Sequence, residues 1–116
     1  MKQVRVINES RGVTLAEVAG VADNMWTRLR GLIGRPPLQE GQGLIIRPST
    51  GIHTFFMGYP IDALYVDSGG QVVRCLENVR PYRFAPVSPK CRMVVELPAG
   101  TIKRTGTAVG HRIATG

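Results

Sequence analysis

Val4 and Val6, then Leu15-Ala16-Glu17-Val18, alternate apolar and polar side chains, and Asn8 to Gly12 between them supplies turn residues. A period of two predicts a two-strand meander. The period then changes. Met25, Trp26, Leu29, Leu32 and Ile33 recur at three- and four-residue spacing, which draws one apolar stripe along a helix. Asp23 or Asn24 can cap its start, and Gly34 before Pro36-Pro37 stops it. Trp26 is expected to anchor the helix in the core.

Further strands are predicted at Leu44–Ile46, ended by Pro48, at Ile52–Met57 and at Ile61–Val66. Asp67-Ser68-Gly69-Gly70 turns the last of these into Gln71–Leu76, a hairpin signal. Residues 77–91 hold three prolines and predict a long loop. Met93–Leu97 is another strand, Thr101–Thr105 a turn or one-turn helix, and Val109–Ile113 a closing strand. Seven or eight short strands with one helix predict an all-β sandwich or small barrel, and no strand–helix–strand alternation supports a doubly wound sheet. Trp26, Leu29, Phe56, Leu64, Val66, Val94 and Leu97 are the expected core.

Composition narrows the class. The 116 residues suit a single domain, and 43% hydrophobic with 20% charged residues reads as globular. No apolar run approaches the roughly 18 residues of a membrane span. The N-terminus lacks the apolar stretch of a signal peptide, so the cytoplasm is the expected location, without a membrane partner. Cys75 and Cys91 are too few for a disulfide framework and are expected as buried or half-buried thiols. Charge is uneven: residues 1–68 carry seven basic and six acidic side chains, residues 69–116 eight and two. That field favours anionic partners, although a solvated basic face is the plainer reading.

Candidate chemistry concentrates in GIHTFFMGYPIDALYVD, residues 51–67. On a strand, His53, Phe55 and Met57 share one face, and Asp62 shares its own with Leu64 and Val66. A buried carboxylate needs donors or a cation, and Arg35, Arg28 or backbone amides near Met57–Pro60 are candidates. Three readings stand side by side. Asp62 and His53 can be a polar lock; they can be polar groups of a small pocket walled by Phe55, Met57 and Tyr59; or they can be an acid–base pair of a small hydrolase or isomerase. Metal-ligand spacings, phosphate loops and nucleophile elbows are absent from the sequence, so neither metal nor cofactor is expected. Separately, Arg80, Tyr82, Arg83, Phe84, Lys90 and Arg92 alternate cations with aromatics, the pattern that binds RNA or single-stranded DNA.

The series RLRGLIGR, GQGLIIRPSTGIHTFFM, PIDALYVDSGGQVV and VVELPAG resembles the family known as domain of unknown function 192. The family's elements fall on Arg28, Gly31-Leu32-Ile33, Arg35, Gly43-Leu44, His53 to Met57, Pro60-Ile61-Asp62 and Glu96 to Gly100. The resemblance runs over about residues 15–110. It implies a compact prokaryotic all-β domain of jelly-roll type and brings no established activity or cofactor. Ile33 and Leu44 stand where Met is usual, and His111 stands where the family commonly has Asp. Together these readings predict a monomeric or weakly dimeric binding module. Its pocket is expected around Arg35, His53, Phe55, Met57, Tyr59 and Asp62, and its partner is an anionic small molecule, a nucleic acid or a protein.

Overall fold

The structure, a computed structural model, describes residues 1–31, 34–51, 58–81 and 86–116. The elements follow as β1 (Gln3–Asn8), β2 (Val13–Ala22), α1 (Met25–Arg30), β3 (Gln42–Ile46), β4 (Ile61–Val66), β5 (Val72–Val79), β6 (Met93–Pro98), α2 (Thr101–Thr105) and β7 (Ile113–Thr115). All seven strands belong to one sheet, ordered β5-β4-β6-β3-β2-β1-β7. Its ends meet: Gln71 bridges Arg112, and the N–H of Val72 donates to His111 O at 2.8 Å. The sheet therefore curls into a nearly closed barrel. The all-β expectation holds, in its barrel form.

The β4–β5 hairpin forms as its turn residues require. Asp67 Oδ1 accepts the N–H groups of Gly69 at 3.0 Å and Gln71 at 2.9 Å, and Gly70 takes φ 87°, a conformation natural to glycine. Pairing is antiparallel except between β2 and β3, which run parallel with Val18 opposite Gln42. The connection between them carries α1. This single strand–helix–strand unit, with a helix of only six residues, does not make an alternating layer, in keeping with the expectation of no doubly wound sheet.

Two apolar clusters cover the two faces of the sheet. The inner one draws Val6, Leu15, Val21, Ile45, Leu64, Val95, Leu97 and Ile113 from every strand but β5 alone, which adds Val72, and α2 contributes Ile102. The outer one joins Leu44, Ile46, Ile61, Ala63, Tyr65, Cys91 and Val94, with Leu38 and Tyr59 packed on it. Strand β4 is consequently buried at all six positions, which explains its near-continuous apolar run. Leu64, Val66, Val94 and Leu97 are buried as expected.

The helix start is also as expected: Asn24 Oδ1 accepts the Thr27 N–H at 2.9 Å in a capping box. Its packing is not. Trp26 is 73% exposed and Leu29 63%, and no side chain of α1 is buried. The strands and Ile102 of α2 already fill the barrel, so Met25, Trp26 and Leu29, the described part of the stripe, face no core. The helix ends earlier than expected, at Gly31 with φ 51°, and Thr101–Thr105 is a second short helix. The predicted closing strand lies slightly later, at Ile113–Thr115, and β5 runs on to Val79, into the predicted loop. The strand predicted at Ile52–Met57, with Phe56, lies outside the described residues.

Replacing Trp26 with Ala should therefore change stability by less than about 0.5 kcal/mol, whereas Leu64→Ala should cost about 2–5 kcal/mol. Urea unfolding of both variants checks this, and the emission of the single tryptophan should be that of an indole in water.

Candidate functional site

Asp62 sits between Ile61 and Ala63, so alternation turns it to the inner face with Leu64. It is fully buried. Its Oδ1 accepts the N–H of Asn78 at 2.9 Å, and its Oδ2 accepts those of Gly100 at 3.1 Å and Ile102 at 2.9 Å. Each partner has a local reason to need an acceptor. Gly100 is the N-cap of α2 and has no side chain to cap with, so Asp62 caps the helix from a distant strand. Asn78 sits in the β4–β5 register shift between Ile61 and Ala63 with φ 52°, where a bulge turns its N–H out of the ladder. Asp62 is a lock between β4, the β5 bulge and α2.

Glu96 lies one position away in register and on the opposite face. It pairs with Ala63 of β4 and Leu44 of β3, both members of the outer cluster. Only 2% of it is exposed, and its Oε1 has no hydrogen-bond partner among the described residues. Burial pushes its carboxyl from 4.5 up to about 8, because an apolar surrounding penalises the charged form. At neutral pH Glu96 is a protonated acid, able both to donate and to accept.

Tyr59 packs on this face, with its hydroxyl donating to Pro36 O at 3.3 Å. Burial raises its pKa, the Glu96 charge adds to the rise and Arg35 opposes it. Arg35 donates its Nε–H to Gly31 O at 3.0 Å. With Leu38, Gln42 and Leu44 among its neighbours it lines a surface groove of about 220 Å³. The structure thus packs Tyr59 on the outer cluster that holds the ladder partners of Glu96, sets Arg35 in a groove with Leu38 and Leu44 of that cluster, and turns Asp62 to the inner face.

His53, Phe55 and Met57 lie outside the described residues, as do Tyr82, Arg83 and Phe84. Arg80, Lys90 and Arg92 are exposed, and Arg92 donates from Nη1 to Pro89 O and Cys91 O. Both cysteines are free, and burial raises the pKa of each thiol, which disfavours the reactive thiolate. Among the described residues no group of His, Cys, Asp and Glu could hold a metal, and no helix is long and apolar enough to cross a membrane. Sequence reasoning passed over Glu96 as a strand residue. Its signal was a lone carboxylate in MVVELP, on the same strand face as Val94.

The family model of DUF192, described as an uncharacterized ACR, matches residues 6–115, and the chain belongs to that family. A UPF0127 protein of Pyrococcus abyssi is 32% identical over 114 residues, 93% of this chain and 94% of its own length. Another, from Thermococcus sibiricus, is 30% identical over 112 residues, 93% of this chain and 72% of its own. A crystal structure from Sinorhizobium meliloti, described as a candidate transcription regulator, matches with a TM-score of 0.80 at 27% identity, covering 97% of this chain and 92% of that one. A protein of unknown function from Novosphingobium aromaticivorans shares the fold with a TM-score of 0.83 at 21% identity, over 97% of this chain and 83% of its own.

The two acids should respond differently to substitution. Asp62→Asn presents an amide to three N–H donors and should cost about 2 kcal/mol; Asp62→Leu leaves all three unpaired and should cost about 4 kcal/mol or more. Denaturant midpoints separate the two.

Glu96 should make stability depend on pH. Between 4.5 and about 8 the unfolded chain releases a proton that the folded chain keeps, so stability is full below 4.5, falls through this window and is level above it. The slope is at most about 1.4 kcal/mol per pH unit. Relative to wild type, Glu96→Gln should remove this component from unfolding curves recorded across the window. Glu96→Leu should be as stable as wild type or more so at pH 8, since an apolar group there leaves nothing unsatisfied.

Proposed function

We propose that this member of the DUF192 family is a small-molecule binding module whose site lies on the outer face of the barrel, at Glu96, Tyr59 and Arg35. The observation that carries the reading is the buried Glu96 Oε1 with no partner among the described residues. An unmet buried polar atom costs about 1–3 kcal/mol, and a ligand that satisfies it recovers that cost. Apolar walls with a few convergent polar groups are the usual composition of such sites, and Leu38, Leu44 and Tyr59 supply them here. Asp62 drops out as a ligand contact because backbone donors engage both its oxygens, and the same saturation argues against an acid–base role for it. His53 as a polar group and Phe55 and Met57 as wall remain expectations from the sequence alone, since they lie outside the described residues.

A nucleic-acid role is the second reading. Exposed Arg80, Lys90 and Arg92, in the more basic half of the chain, support it, as does the Sinorhizobium meliloti neighbour described as a candidate transcription regulator.

Two titrations decide between them. Mixtures of small carboxylic acids, amides and alcohols, followed by NMR, should shift the resonances of Leu38, Leu44 and Tyr59, and Glu96→Leu should weaken that response. A single-stranded oligonucleotide should leave those resonances unmoved. Binding of the oligonucleotide that falls steeply with salt and flattens on replacing Arg80 and Arg92 would put the nucleic-acid reading first, and silence of the outer face towards all small molecules would remove the pocket.

A further inference from the structure

The polar groups of the outer face differ in what they lack. Arg35 uses its Nε–H on Gly31 O. The two ion pairs formed among the described residues, Arg5 with Glu17 and Arg104 with Glu40, do not involve it. A guanidinium fork without a carboxylate therefore borders the groove that Leu38, Gln42 and Leu44 share with it. Glu96 lacks the opposite thing. Its Oε1 is buried with no hydrogen-bond partner among the described residues, and it stands directly across the ladder from Leu44, a side chain of that same groove. Tyr59 packs on the same outer cluster as Leu38 and Leu44.

We propose, building on the binding reading above, that the site takes a small organic acid with an apolar body, its carboxylate held by Arg35 and a neutral amide or hydroxyl group meeting Glu96. The charges select this class. A cationic ligand would meet Arg35 with like charge, and a purely apolar one would leave Oε1 as unsatisfied as before. A carboxylate matches the guanidinium fork in geometry as well as in sign. A neutral amide or hydroxyl matches the second group, because a carboxylic acid offers a donor and an acceptor side by side. Leu38, Leu44 and the ring of Tyr59 provide apolar surface between these two polar ends. The net charge of +7 draws an anion toward the whole molecule.

Three probes with one apolar body test the inference: N-acetyl-leucine, an anion; N-acetyl-leucinamide, which is neutral; and leucinamide, a cation. Binding is read from the methyl resonances of Leu38 and Leu44 and the ring resonances of Tyr59 in the intact protein. The acid should bind about tenfold tighter than the neutral amide, as for one charge-assisted contact, and the cation should produce no shift. Arg35→Gln should erase the difference between acid and neutral amide while leaving the melting temperature near wild type. Glu96→Leu, which leaves no buried acceptor behind, should weaken both acylated probes. Equal binding of all three, or tightest binding of the cation, overturns the choice of an organic acid and leaves the binding reading standing. No shift at Leu38, Leu44 or Tyr59 with any of the three overturns both.

Discussion

Strands β3, β6 and β4 are covered on both faces, by the inner cluster on one side and the outer cluster on the other, which keeps water from polar groups buried at their middle positions. Every such group has to find its partner in the protein or go without. Two carboxyls occupy these strands at adjacent ladder positions, Asp62 beside Leu97 and Glu96 beside Ala63, and they meet that requirement in opposite ways. Asp62 gathers the N–H groups of Asn78, Gly100 and Ile102. Glu96 gathers none for its Oε1 among the described residues, and burial has raised its pKa to about 8, which keeps it protonated at neutral pH.

The lock at Asp62 makes the remainder of the architecture consistent. The α2 helix begins on a glycine with φ 94°, a choice that opens the turn after β6 but removes any local side-chain cap. The β5 bulge frees an N–H that no neighbouring strand takes up. One carboxylate resolves both. It fastens the end of the barrel where α2 packs against β2 and β5, with Ile102 inserted into the inner cluster. At the seam, Asn8 has a comparable part: its Nδ2 lies 3.0 Å from Thr107 Oγ1 and 3.1 Å from His111 Nδ1. That ties β1 to the turn through which β7 meets β5.

Glu96 has no such architectural return. Stability of a small domain amounts to only about 5–15 kcal/mol, and one unmet buried carboxyl is a sizeable fraction of that. Positions that weaken a fold in this way are characteristic of binding sites, where stability is lower than it could be. The proposed site draws on further residues of the outer face. Arg35 carries a charge without an acidic partner among the described residues, Tyr59 donates to Pro36 O, and Leu38 and Leu44 belong to the apolar cluster on this face.

The sequence alone was enough for the all-β class, the β4–β5 hairpin, the Asn24 cap and the family, because each is written locally: a period of two, a turn residue with the right φ, an acceptor before a helix, a motif in order. The partition of the two acids could not be read that way. Asp62 and Glu96 are both single carboxylates in apolar runs, and only the β4–β6 register, the bulge at Asn78 and the placement of α2 decide which of them receives backbone donors. Nor could the apolar stripe of α1 reveal its own exposure. Periodicity shows that a helix has an apolar face, but whether anything lies against that face depends on how the strands and α2 have already filled the barrel.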